Sequence, residues 1–264
     1  MRLNWGPVGS AVVVAAILGS ACTKVPPENR AESSSATIGP APTRELPDFA
    51  AIRDPRQRKE RFIKFLQPII RQENARVLER RGRLMGLRDR TARGKPLLPA
   101  EETWARDLAE EYQIQDFSPR QAGDWEALLL RVDKVPLPLA LAQAAHESAW
   151  GTSRFAREGN AVYGQWCMSP GRGIVPHRRE AGKTHEVARF PTVRRSVRSY
   201  IHNLNTHAAY EHLRRLRYAQ RRSGLIPDSY VLAEGLTYYS ERRDEYVADI
   251  RALLRGTEAL LRPA

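Results

Sequence analysis

From Asp54 to Arg90 apolar residues recur at helical spacing, Phe62, Phe65, Leu66, Ile69 and Ile70 and then Val77, Leu78 and Leu84, with charges between them. The pattern predicts a long amphipathic helix that Pro68 kinks or divides. A second piece, from Ala100 to about Ile114, carries Trp104, Leu108 and Tyr112 at intervals of four, and Pro99 stands where a helix can start. Val135 to Trp150 reads VPLPLALAQAAHESAW, with Pro138 in the first turn and Leu137, Leu141, Ala144, Ala145 and Ser148 on one stripe that should face the core. In the last third, Val197, Ile201, Leu204 and Ala208 form a stripe after Thr192, a candidate N-cap. Leu213, Leu216 and Tyr218 then lie on a basic stretch ending near Gly224, and a final helix is expected from about Arg242 to Leu261. No internal repeat interrupts this series.

The first 47 residues do not fit a packed body. Arg2 is followed by an unbroken apolar run from Ala11 to Leu18, too short to span a bilayer, and then by Gly19-Ser20-Ala21 and Cys22. The layout, residues 1–21, resembles a bacterial lipoprotein signal, which implies lipidation of Cys22 and an anchor in a membrane; an ordinary cleaved secretory peptide is the other reading. Both put the mature chain outside the cytoplasm, in the periplasm or cell envelope. Thr23, where Asp would favour the inner membrane, leans toward the outer one. Residues 22–47, rich in Pro, Ser, Ala and Thr, read as a flexible tether.

Composition changes this picture in two places. Lys and Arg number 43 against 30 Asp and Glu, a formal charge of +13, and the segment Arg53–Lys95 alone holds twelve Arg and three Lys against five acids. A solvated face on a packing helix explains that excess best, with contact to an anionic lipid or polymer as the second reading. A nucleic-acid partner would suit the charge but contradicts the export signal. Two cysteines, Cys22 and Cys167, exclude a disulfide framework and any zinc site with several Cys ligands.

The candidate chemistry is therefore that of carboxylates. Glu147 lies beside the apolar stripe, on the face of Ala140, Gln143 and Trp150. A carboxyl placed there loses hydration when ionised, which favours the protonated form a general acid needs. A helix-end glutamate in a surface pair has the same spacing. Neither His146-Glu147 nor His185-Glu186 completes HExxH, His202, His207 and His212 do not converge on a helix, and no phosphate-binding glycine loop occurs. No metal and no cofactor are expected.

The run AQAAHESAWGTSRFAREGNAVYGQW resembles the signature of bacterial peptidoglycan N-acetylglucosaminidases of the flagellar type, similar to glycoside hydrolase family 73. There, Ala-Gln-Ala-x-x-Glu-Ser-x-Trp-Gly is followed by Asn and an aromatic-Gly pair, here Asn160 and Tyr163-Gly164. The similarity extends through RQENARVLERRGRL, EVARF, YIHNLNTHAAY and LRRLRY to LTYYSERRDEYVADI, most of the mature chain. It implies a mainly α fold: a lysozyme-like α+β catalytic domain, residues 118–264, with a small β lobe between Gly164 and Phe190, preceded by a basic helical unit, residues 48–117. GQWCM and EVARF are the candidate strands, around a loop holding Pro170, Gly171, Gly173 and Pro176.

The resemblance further implies hydrolysis of the β-1,4 bond after N-acetylglucosamine in glycan strands, with Glu147 as general acid. Glu186 is the best match to the family's second acid, and Glu180 the fallback. Such a pair would activate water across roughly 6.5–9.5 Å, unless the substrate's own N-acetyl group attacks instead. Tyr239 matches a cleft tyrosine, with Tyr238 as the alternative. Gln143, Trp150, Asn160, Tyr163, Gln165 and Trp166 are candidate sugar contacts, the amides for hydroxyl or acetyl oxygens and Trp166 for a ring face. A lytic transglycosylase would show Gly-Leu-Met-Gln where this chain has Val162-Tyr163-Gly164-Gln165. A non-catalytic wall-binding scaffold is the reading from another class.

Overall fold

The computed structural model describes residues 46–167, 171, 173–176, 179 and 185–261, the last five of these by backbone alone. The signal, Cys22, nearly all of the tether and Glu180 lie outside the described residues. The architecture is mainly helical, with one small antiparallel sheet.

Helix α1 spans Pro55–Ala92, started by Asp54, whose side chain accepts from the Arg56 N–H, and by Pro55 at the first turn. Pro68 does not divide it. The proline lies on the exposed side, opposite the buried stripe Phe62, Leu66 and Ile70, so the Lys64 carbonyl that it leaves without a donor can be hydrated. One helix thereby serves two cores. Its first half packs into the main core, and its second half, through Leu84 and Leu87, joins α2 (Pro99–Glu111) and α3 (Ala122–Arg131) in a second core around Trp125, Leu108 and Phe117.

Most basic residues of α1 stay on its solvated face; Arg81 alone among them is buried, and a few others join partly buried contacts. Glu73, buried at the middle of α1, takes a two-pronged bond from Arg198, and Asn74 exchanges both amide bonds with the backbone of Val135. Arg80 pairs with Glu111, Arg90 with Glu101 and Arg88 with Asp89 and Glu126.

Helix α4, Leu137–Ser148, is the centre of the main core. Rather than one stripe, every residue from Leu139 to Ala145 is buried, because α1 and the C-terminal helix α9 (Asp244–Leu261) cover it from different sides. Alanines at 140, 142, 144 and 145 make such close coverage possible. After α5 (Arg154–Gly159), the chain forms β1 (Trp166–Cys167), β2 (Gly173–Ile174) and β3 (Glu186–Ala188). Their order is β1-β3-β2, with Trp166 opposite Val187 and Ile174 sharing Val187 on the other side. The two anticipated strands are present, and β2 arises within the segment read as loop. Helix α6 (Val193–Thr206) starts at Thr192, whose hydroxyl accepts from the Arg195 N–H. Helices α7 (Glu211–Arg222) and α8 (Ser229–Leu232) complete the body. Among the described residues no helix is long and apolar enough to cross a membrane.

Candidate active site

Glu147 sits in the last turn of α4, its side chain only 8% exposed. Its Oε1 is buried with no hydrogen-bond partner among the described residues, and the one basic neighbour in pairing range is His146, whose Nδ1 lies 3.5 Å away. Next to the other oxygen the chain turns at Gly164, with φ +61; a Cβ there would stand 3.0 Å from Glu147 Oε2. Only glycine lets the backbone reach the carboxyl this closely without strain.

Buried tyrosines surround the rest of the group. Tyr163 stacks on Tyr200 at 3.7 Å, and Tyr239 stacks on Tyr246 at 5.3 Å. Gln143, fully buried, joins the two stacks: its Oε1 accepts from Tyr200 Oη at 2.6 Å and its Nε2 donates to Tyr246 Oη at 2.9 Å. Tyr239 donates to the Tyr163 carbonyl at 3.0 Å, tying the C-terminal segment to the turn that carries Gly164. Burial first, and then the Glu147 charge, push the phenols of Tyr239 and Tyr246 well above their ordinary value; for Tyr200 burial leads again, followed by its tyrosine neighbours and last by Glu147, so the walls of the site stay neutral. His146 behaves differently. Burial opposes its charge, but the carboxyls of Glu147 and Asp249, both at 3.5 Å, outweigh that and raise it.

The predicted residues separate into two groups. Glu147, Tyr163, Tyr239 and Gln143 come together, whereas Tyr238 is exposed under the Arg243 guanidinium. Trp150 does not share the Glu147 face: helical geometry ends at Ser148, and the left-handed Ala149 and Trp150 swing the indole onto Phe62 of α1, 5.9 Å away, with Lys59 over it. Asn160, left-handed at the end of α5, donates to the Phe190 carbonyl and so holds the chain at the exit of β3.

Gln165 donates to Ser199, leaving its Oε1 buried and without a partner, and Trp166 stacks face to face on His185 at 4.0 Å with its own Nε1 unmatched. Tyr163 Oη is likewise unmatched. Buried polar atoms are normally satisfied, so these three atoms keep unused hydrogen-bonding capacity.

Glu186 is buried on β3, and its two oxygens accept from the N–H groups of Gly171 at 2.9 Å and Gly173 at 2.7 Å. Tyr200, Tyr210, Tyr246 and Asp249 went unnoticed as site residues, although they stand inside the quoted runs YIHNLNTHAAY and DEYVADI. Their separation from Glu147 in sequence, 53 residues or more, hid the contact. Among the described residues no three His, Cys, Asp or Glu side chains form a metal-ligand set.

Among the described residues, a buried carboxyl thus lies beside a glycine turn and is walled by neutral tyrosines. Residues 127–256 match the glucosaminidase family, described as mannosyl-glycoprotein endo-beta-N-acetylglucosaminidase; this part of the chain is a glucosaminidase domain, and the protein is a glycoside hydrolase. Across its length the chain is similar to Protein bax of Escherichia coli strain K12, with 29% identity over 221 residues, 84% of this chain and 77% of that protein. No solved structure gives a significant match.

Proposed function

We propose that this protein hydrolyses the β-1,4 bond after N-acetylglucosamine in peptidoglycan, with Glu147 protonating the leaving oxygen. The observation that carries the reading is the burial of the Glu147 side chain, whose Oε1 keeps room for a hydrogen bond beside His146 at 3.5 Å. A protonated carboxyl there would meet the glycosidic oxygen against a wall of neutral phenols, where a hydrogen bond to the departing group is strong. Tyr239 and Tyr246 hold their charge-free form and would steady the acid, while Gln165 Oε1, Trp166 Nε1 and Tyr163 Oη would take up sugar hydroxyl and acetyl groups.

Glu186 supports a division of labour in which the substrate's own acetamido oxygen attacks the anomeric carbon. Both of its oxygens are occupied by backbone N–H groups of the β1–β2 connection, which suits a residue that closes the hairpin over the substrate. If Glu186 instead activates water, azide should restore turnover to a Glu186→Ala variant. Export through residues 1–21, with Cys22 as a lipid anchor, belongs to the same reading; labelled palmitate should enter the wild-type chain and not a Cys22→Ala variant.

The deciding experiment is mass spectrometry of the ends released when the chain and its Glu147→Gln variant are incubated with purified peptidoglycan. Reducing N-acetylglucosamine ends from the wild type alone are expected. Anhydro-muramic ends would establish a transglycosylase, and release by neither protein would favour the scaffold reading.

A further inference from the structure

The turn that follows Glu147 holds three left-handed residues in succession. Ala149, Trp150 and Gly151 are consecutive left-handed residues, with φ of 49°, 58° and 79°, a conformation that non-glycine residues seldom adopt and that persists only where surroundings enforce it. Part of the enforcement is local. Ser148 Oγ donates to the Ala144 carbonyl and accepts from the Gly151 N–H at 2.8 Å, and the Trp150 N–H bonds to the Ala145 carbonyl.

The remainder comes from outside the glucosaminidase domain. Phe62 and Lys59 of α1 contact the Trp150 ring, Phe62 edge-on at 5.9 Å and the Lys59 ammonium at 5.2 Å from its centroid. Phe49 fills the space over Gly151 so closely that a Cβ there would come within 2.4 Å of the Phe49 ring. Phe49 is itself seated by edge contacts with Phe62 and Phe65, in a short turn capped by Asp48. All these residues precede the matched domain, which starts at residue 127.

Glu147 stands two residues before this turn. His146 Nδ1, 3.5 Å away, and the Tyr246 hydroxyl face its carboxyl, and the backbone of the turn sets where the carboxyl stands between them. We infer that Phe49, Lys59 and Phe62 are positioning residues: by clamping the Ala149–Gly151 turn they aim the Glu147 carboxyl, so that the basic N-terminal helix is a working part of the active site. This rests on Glu147 being the acid.

The test uses full-length Phe49→Ala and Phe49→Leu, with Leu108→Ala as a control. Leu108 is buried in the second core, away from the turn, and its loss weakens packing without touching the clamp. At a temperature where circular dichroism shows all three folded, Phe49→Ala should lose about 30-fold in kcat on peptidoglycan, because small misplacements of a catalytic group are costly. KM should stay within about threefold, as for a group acting only in the transition state. Phe49→Leu should regain most of the rate, and Leu108→Ala should keep it.

In the same samples, amide exchange at residues 149–153 should quicken roughly tenfold in Phe49→Ala alone, a local opening read without any substrate. Equal losses of kcat in Phe49→Ala and Leu108→Ala, or unchanged exchange in the turn, would overturn the inference. So would faster exchange with undiminished kcat. A wild-type chain that cleaves no glycan would overturn the acid assignment instead, with the exchange data still reporting on the clamp.

Discussion

Asp133 precedes α4 and Glu147 sits in its last turn, and both carboxyls are buried, yet their surroundings are opposites. Asp133, 2% exposed, is gripped by Arg221 through two bonds of 2.5 and 2.7 Å, with Arg81 and Arg217 each at 3.8 Å. Burial alone would disfavour its charge, but the three guanidiniums outweigh burial and hold it below the usual carboxylate range. Arg217, fully buried, also donates to four carbonyls between Leu130 and Lys134, closing the end of α3. This cluster binds α1, α3 and α7 into one body. Among the described residues Glu147 pairs with no arginine, and its one charged partner is His146 at 3.5 Å. Burial therefore does not by itself tell two carboxyls apart; the identity of their neighbours does. Three guanidiniums make Asp133 a structural anchor, whereas neutral phenols wall Glu147.

The comparison can be broken first at Glu147. Glu147→Gln keeps the shape of the side chain and should reduce glycan cleavage by about a thousandfold, the contribution typical of a positioned general acid, while the melting temperature stays close to wild type. Asp133→Ala should do the reverse. Leaving Arg217 and Arg221 unpaired should cost about 3–5 kcal/mol of stability by urea denaturation, and a loss below about 1 kcal/mol would contradict the anchoring role.

The same pair sets an acid limb. Because the folded-state pKa of Asp133 is depressed, its stabilisation is complete above the unfolded value of about 3.9 and is lost as pH falls through the folded value. The denaturation midpoint of Asp133→Asn should accordingly depend less on pH in that range.

Gly164→Ala sharpens the Glu147 side of the comparison: the new Cβ at 3.0 Å from Oε2, at positive φ, should lower kcat about tenfold by displacing the acid. The smallest effect belongs to His146. Its raised pKa means that its pairing with Glu147 and Asp249 stabilises the fold below the unfolded value near 6.5 and is lost as pH rises through the folded value. His146→Asn should thus cost under about 1 kcal/mol at pH 5 and nothing measurable at pH 9, by thermal denaturation.

Helix starts were legible because their causes are local. Pro99 and Thr192 act on the backbone beside them, and each begins a helix as read, while Asp54 and Pro55 start α1 by the same local chemistry. The continuity of α1 through Pro68 was not legible, since it depends on which side of the helix faces water. Strand β2 was missed for a related reason: two residues, Gly173 and Ile174, carry no periodicity and become a strand only by pairing with β3.

Motif spacing located Glu147 and its glycine turn, and also placed Trp150 beside them. That second inference extended helical geometry two residues beyond the end of the helix. Period and capping chemistry, which act over a few residues, determined that this chain is mainly helical, where most helices begin, and that one carboxyl stands at the end of an apolar helix. Contacts between residues far apart in sequence are set by how elements pack, and no local pattern encodes them. Only the tertiary structure could therefore decide that tyrosines 200, 239 and 246 lie around that carboxyl, that arginines claim the other buried one, and that a helix some eighty residues upstream packs on the turn after Glu147.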